Sequence, residues 1–250
     1  MNNKSKTLSL ITVVKNDVVN IENTIRSIIS QKNKKIEYII INGNSKDGTN
    51  KIIKKYQNKI DKIISEKDKG IYDAMNKGVR LANGHYLGFC NSGDLIHPGG
   101  IKIIYNKLKN KKLDVLFSTV KRNYLGTSII KYGYNLKRLN YNFDFATSHS
   151  TGFFYKKKFH RKIGYYNTRF KCSADYDFYL RLFKIQKLKI GKTSKNKIIG
   201  EIKKGGYSSR VPFINHIIEE ARIRIKNKQN FALVGIIFLN AIFKKILKSF

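Results

Sequence analysis

Glu66-Lys-Asp68-Lys-Gly70-Ile-Tyr-Asp73-Ala-Met-Asn76-Lys77-Gly78, a short spacer, and then His85-Tyr-Leu-Gly-Phe-Cys-Asn91-Ser92-Gly93-Asp94 decide how this chain is read. The first half is a polar turn that opens a helix. Tyr86 to Cys90 is an apolar run of strand length that stops abruptly in an acidic turn. In a parallel sheet the carboxyl ends of the strands present the ligand-binding groups. A carboxylate at such an end is well sited to hold a hard cation, and a cation there can bridge to a diphosphate and offset charge on a leaving group. Taken alone, Asn91-Ser92-Gly93-Asp94 reads equally well as an ordinary turn, because these residue types dominate turns. The rest of the chain has to separate the two.

Working outward, strand and helix patterns alternate. Strands are expected at Leu8 to Val14, Ile36 to Ile41, Lys62 to Ser65, Tyr86 to Cys90 and Asp114 to Ser118. Helices are expected at Ile21 to Ser30, Asp47 to Tyr56, Ile71 to Ala82 and Pro98 to Leu108. Short connections between alternating elements point to an α/β fold with a mostly parallel central sheet and helices on both faces. Residues 119–147 carry few clear periods and suit a crossing segment or an acceptor-side loop. Order returns at Thr151 to Tyr155 and in a helix from Ala174 to Phe183.

The 250 residues suffice for one such domain, residues 1–210, with an appendage over 211–250. Two cysteines, Cys90 and Cys172, are too few for a disulfide framework and read as reduced thiols of a cytoplasmic protein. The first residues lead straight into a strand without an apolar signal core, so no export signal is expected. The formal charge is +35, from 51 basic and 16 acidic residues, and a field of that size draws polyanions. Part of it reflects composition, because Lys, Asn and Ile crowd the sequence, Trp is absent and Pro occurs twice.

The appendage has its own character. Phe213 to Lys228 is a basic amphipathic helix, and Phe231 to Phe243 is a nearly unbroken apolar run followed by Lys244, Lys245 and Lys248. That run is well short of the roughly 20 residues that span a bilayer, so it reads as a helix lying at an anionic membrane surface. A packing or oligomerising helix is the alternative.

Five pieces in order now carry a resemblance: Leu10-Ile-Thr-Val-Val-Lys-Asn16; Tyr38-Ile-Ile-Ile-Asn42-Gly-Asn-Ser45-Lys-Asp47-Gly48-Thr49; Asp68 to Gly78; Asn91-Ser92-Gly93-Asp94; and Ser173-Ala-Asp175-Tyr-Asp177-Phe-Tyr-Leu-Arg181-Leu. The series resembles glycosyltransferase family 2 on a GT-A fold, over about residues 8–183. The resemblance implies inverting transfer of a sugar from a nucleoside diphosphate donor, as in bacterial surface-polysaccharide assembly.

It also implies roles. Thr12, Val14 and Asn16 at the end of the first strand, with Asn42 after the second, fall where the family cradles the nucleoside. Asn42 replaces the usual aspartate with an amide that both donates and accepts. Asp68 and Asn76 fall where the family shapes the donor pocket, with Asp73 on the same helix. Asp73 and Lys77 are also spaced as a helix-surface ion pair. Ser92 and Gly93 lead to Asp94, the last acid of the metal-binding motif. Because Ser92 stands where a second acid is often found, Asp94 is the single sure carboxylate for Mg2+ or Mn2+. Asp175 matches the family's base, preceded by Ala174 where Glu is usual, and Asp177 is its rival. Asp47-Gly48-Thr49 is better explained as helix capping than as chemistry. His149 and the Gly205-Gly206-Tyr-Ser208-Ser-Arg210 segment are further candidates, for acceptor or diphosphate contact and for a flap over phosphates.

Three function classes follow. The ordered motifs favour a glycosyltransferase with a glycan or lipid-linked glycan acceptor, at the inner face of the cell membrane. Charge alone suggests nucleic-acid binding, but the basic residues are spread along the chain without a recognition module, so no nucleic-acid partner is expected. A non-catalytic membrane adaptor would fit the substitutions at Asn42, Ser92 and Ala174, against which stand Asp94 and Asp175.

Overall fold

The computed structural model describes residues 6–124, 127–141, 145–146, 150–203, 205–206 and 210–247. The strands are β1 (Leu8–Val14), β2 (Ile36–Asn42), β3 (Lys62–Ser65), β4 (Tyr86–Phe89), β5 (Leu95–Ile96) and β6 (Val115–Phe117). They continue as β7 (Val120–Tyr124), β8 (Thr127–Lys131), β9 (Phe153–Lys156), β10 (Ile190–Lys192) and β11 (Gly200–Ile202). The helices are α1 (Ile21–Ile29), α2 (Thr49–Lys55), α3 (Ile71–Leu81), α4 (Gly100–Leu108), α5 (Phe159–Ile163), α6 (Ala174–Leu182), α7 (Phe213–Lys226) and α8 (Phe231–Leu247).

Seven strands form the central sheet in the order β10-β6-β9-β4-β1-β2-β3. All neighbours are parallel except β9, which runs antiparallel to β4 and to β6. β1 and β2 are buried along their whole length, and this is why they read as mostly apolar runs without alternation, interrupted by Ser9 and Thr12 in β1 and by Glu37 in β2. Leu8, Leu10 and Val14 face one core with Ile21, Ile25 and Ile28 of α1, Ile53 of α2 and Ile101, Ile104 and Leu108 of α4. Ile11 and Val13 face the other, with Tyr72, Met75 and Val79 of α3, Phe178 and Leu182 of α6 and Ile223 of α7. A Cβ at Gly78 would lie 2.5 Å from Ile11 Cγ2, so glycine there lets α3 sit close on β1.

Two registers set the level of the site. Val14 pairs with Asn42, and Asn42 with Ser65, so β1, β2 and β3 end side by side. The acidic turn after β4 comes to the same edge, with the Ser92 N–H donating to Val13 O at 3.3 Å.

The loosely patterned region holds more order than its sequence suggests. β7 and β8 form an antiparallel hairpin, and with β5 and β11 they make a second sheet in the order β5-β11-β7-β8. β8 is largely exposed and β5 is two residues long, so neither shows an alternation to read. Their strand state comes from pairing with distant chain, such as Gly200 with Ile96 and with Val120.

α7, the first helix of the expected appendage, has Ile217, Ile223 and Arg224 buried. α8 folds back along α7, with Lys245 Nζ 5.9 Å from the Phe213 ring centre. Its Phe231, Ile236, Leu239 and Phe243 are 60 to 73% exposed. Among the described residues, no helix is long and apolar enough to cross a membrane.

Candidate active site

The edge formed by the ends of β1 to β4 is a set of interlocked turns. Asn16 takes a left-handed conformation (φ 50°), its N–H donating to Ser45 Oγ at 2.8 Å and its Oδ1 accepting from the Lys46 N–H at 2.9 Å. Asn42 is fully buried. Its Oδ1 accepts from the Ser45 hydroxyl at 2.6 Å and the Ser45 N–H at 3.1 Å, and its Nδ2 donates to Ser65 Oγ at 2.9 Å. The amide that the sequence offers for base contact is spent on holding the 43–45 turn, and Asn16 is exposed at this edge.

Thr12 is likewise internal, its hydroxyl donating to Cys90 O at 2.7 Å and meeting Tyr38 Oη at 3.1 Å. Val14 packs in the core. Asp68 does reach this edge: its Oδ2 lies 2.0 Å from where a Cβ on residue 43 would stand, so only Gly43 admits it. Its Oδ1 accepts from the Gly70 N–H at 3.0 Å. Asn76 sits away from the edge, 3% exposed, with its amide clamped on the backbone of Tyr166 at 2.9 and 3.0 Å. Asp73 accepts from the Lys69 N–H at 3.0 Å and pairs with Lys77 at 3.5 Å, the helix-surface pair its spacing allows. The N-cap of α2 is Gly48, which has no side chain to cap with; Asp47 ahead of it accepts from both the N–H and the hydroxyl of Thr49, an Asx turn that leads into the helix.

The acidic turn is built by four chain segments. Gly93 has φ 95°, a conformation that favours glycine, and its N–H donates to Thr24 Oγ1 at 3.0 Å. The Ser92 hydroxyl donates to Asp17 Oδ2 at 2.6 Å, which brings a second acid to the turn from the connection between β1 and α1. Asp94 is 7% exposed and accepts from the Thr151 hydroxyl at 2.7 Å and the Lys203 N–H at 3.2 Å, one bond to each oxygen. Burial pushes its carboxyl up to about 7, opposed by Thr151, the Lys203 N–H and the charge of Arg122 on β7. Lys203 Nζ reaches Asn20 Oδ1 at 2.7 Å, placing a cation beside the same turn.

These groups fit a hard divalent cation. Each carboxylate oxygen of Asp94 keeps a lone pair beyond its one hydrogen bond, and Asn91 Oδ1 is buried with no hydrogen-bond partner among the described residues. Together with the Ser92 hydroxyl this is an all-oxygen set with one carboxylate, suited to an ion that takes its remaining ligands from phosphate and water. No group of three or more His, Cys, Asp or Glu able to hold a metal occurs among the described residues.

The second carboxylate is Asp175, in the first turn of α6. Its Oδ1 accepts from Tyr72 Oη on α3 at 3.0 Å and from the Tyr176 N–H at 2.9 Å. Burial pushes it up to about 7, against the pull of Tyr72 and of the helix N–H groups, with the Glu220 charge adding to the rise. Asp177 is fully buried and points elsewhere, paired with Arg181 at 2.9 Å and Asn227 at 3.1 Å. Of the two rivals, Asp177 is tied into the interior by Arg181 and Asn227, whereas Asp175 is held by Tyr72 and its own helix turn.

Tyr72, Thr151, Asp17 and Arg122 are site residues that sequence reasoning passes over. Only Tyr72 had a local signal, as the neighbour of Asp73 in the quoted stretch. The charge of Arg122 reaches both Asp94 and Tyr179. His149, Tyr207 and Ser208 lie outside the described residues. Gly205 (φ 98°) and the exposed Arg210 flank that gap.

Residues 9–174 match the pattern of the family described as Glycosyl transferase family 2. The hyaluronan synthase of Pasteurella multocida is 27% identical over 204 residues, covering 78% of this chain and 21% of that protein. This chain therefore spans about a fifth of that synthase. In fold, the chain is similar to S. aureus TarS in complex with UDP-GlcNAc, with TM-score 0.69, 19% identity, and coverage of 95% of this chain and 73% of that one. It is also similar to a mannosyltransferase of Pyrobaculum calidifontis in complex with GDP-Man and Mn2+, with TM-score 0.63, 13% identity, and coverage of 91% and 66%. The family pattern runs over the strands and turns from β1 to the start of α6, and by it the chain belongs to glycosyl transferase family 2.

Proposed function

We propose that the protein moves a sugar, with inversion, from a nucleoside diphosphate donor to a hydroxyl of a glycan acceptor in bacterial surface-polysaccharide assembly. The observation that carries this reading is Asp175, a carboxylate raised to about 7 and oriented by Tyr72 in a family 2 chain. At neutral pH such a group is poised between accepting and holding a proton. It takes the acceptor hydroxyl's proton as that oxygen attacks the anomeric carbon from the face opposite the nucleotide. The bond from anomeric carbon to phosphate oxygen breaks, and the nucleoside diphosphate leaves with the electron pair.

Asp94, with Ser92 and Asn91, would hold Mg2+ or Mn2+. A bound divalent ion supplies neutralisation of the departing diphosphate. Asn16, the 43–45 turn and Asp68 line the edge where the nucleoside would lie, and Lys203 offers a cation to the phosphates. The nucleotide-sugar complexes of the two structural neighbours support this class of donor.

The protein works at the cytoplasmic face of a membrane on a lipid-linked acceptor. The exposed apolar residues of α8 beside Lys244 and Lys245, and the charge of +35, support this location. A screen of UDP-, GDP- and dTDP-sugars, with released nucleotide as the readout, tests the activity. Release from one donor class, lost in Asp175→Asn, is expected. Release that is indifferent to Asp175→Asn would overturn the reading.

A further inference from the structure

The turn that leads into Asp175 is held from α7. The Glu219 carboxylate on α7 accepts three successive backbone N–H groups, from Lys171 at 2.6 Å, Cys172 at 2.8 Å and Ser173 at 2.7 Å. Consecutive N–H groups turned onto one anion form a concave nest, and hydrogen bonds to a charged acceptor are among the strong ones. The nest lies immediately ahead of α6. Ser173, the residue before that helix, makes no side-chain cap of its own, so the entry to the helix is fixed by Glu219. The Ser173 carbonyl then accepts from the N–H groups of Tyr176 at 3.0 Å and Asp177 at 3.3 Å, which carries the constraint into the turn that bears Asp175.

α7 is a firm base for this contact. Ile217 and Ile223 are buried, and Arg224, 2% exposed, donates to Asn140 O and to Gln229 Oε1. α7 also lies outside residues 9–174, the span of the family pattern.

We infer that Glu219 is a positioning residue for the transfer reaction: through the nest of Lys171, Cys172 and Ser173 it fixes where the Asp175 carboxylate stands, which makes α7 part of the catalytic unit. The inference rests on Asp175 being the base. A carboxylate displaced by about 1 Å from its working position typically costs about 10²-fold in rate, with little change in how the donor is bound. Among the described residues, the groups facing Asp175 include Tyr72 from α3, Tyr179 on its own helix, Tyr166, Cys172 and Glu220. None of these replaces the anion in the nest.

The test uses the full chain with the donor found by the screen. Glu219→Ala and Glu219→Gln should lower kcat by about 10-fold to 100-fold with donor KM held within about twofold. They should also move the acid limb of the kcat profile to lower pH, because a loosened Asp175 meets water. Glu219→Asp keeps the anion one methylene shorter and should restore part of kcat. Unchanged kcat in both the Ala and Gln variants would overturn the inference. So would a kcat loss that tracks a lower melting temperature with the acid limb unmoved. Asp175→Asn, run beside them, separates the two ideas: if it leaves kcat unchanged the base reading fails, whereas a loss there with none at Glu219 fails the inference alone.

Discussion

Asp175→Asn should lower turnover and raise stability together. Burial raises this carboxyl from its ordinary value near 4 to about 7. Between those values the folded protein binds more protons than the unfolded chain, so stability falls as pH rises through the window and the loss is complete above about 7. Three units at 1.36 kcal/mol each give about 4 kcal/mol as an upper bound, and the partial exposure of the carboxylate brings this nearer 2 kcal/mol. Asparagine carries no charge to bury. Near pH 8 the variant should therefore be more stable than the parent by about 2 to 4 kcal/mol, and most of that gap should close toward pH 5. Urea unfolding at the two pH values measures it, and kcat near pH 8 should be lower by roughly 10²-fold or more. A variant that is less stable at both pH values, or a gap that does not change with pH, would refute the account of a buried charge. Retained turnover would refute the base.

Two further outcomes follow from other parts of the fold. Asn76→Ala removes both hydrogen bonds to the Tyr166 backbone and leaves a buried N–H and C=O without a partner, so it should cost about 2 to 4 kcal/mol in urea unfolding. If the loss appears instead as a raised donor KM at unchanged stability, Asn76 is a pocket residue and not a clamp. Sedimentation with anionic vesicles should be strong, should weaken with salt and should largely vanish when residues after Lys228 are deleted; undiminished binding of the truncated protein would make α8 a packing helix.

The central strands could be read because they are buried on both faces, and a strand such as Ile36–Asn42 then shows as a mostly apolar run despite its Glu37. The acidic turn could be read because Asp94 follows such a strand directly. The second sheet could not, since β5, β7 and β11 are short and find their partners across up to about a hundred residues. Asn42 and Asn76 show the limit of motif positions. An amide that suits a ligand also suits a backbone turn, and in both cases the protein's own groups take it. The sequence sets Asp175 and Asp177 side by side without separating their surroundings, which lie in distant partners: Arg181 and Asn227 engage Asp177, and Tyr72 engages Asp175. Thr151 on Asp94 and Glu219 on the entry to α6 act across 57 and 46 residues, and contacts of that span leave no local pattern.

The most direct measurement is nucleotide binding by calorimetry, titrating UDP, GDP and dTDP into the full chain with and without Mn2+. The account predicts that one nucleoside diphosphate binds and that Mn2+ strengthens its binding. That gain should disappear in Asp94→Ala and persist in Asp175→Asn. Absence of binding by all three, or binding with the same Mn2+ dependence in Asp94→Ala, would contradict it.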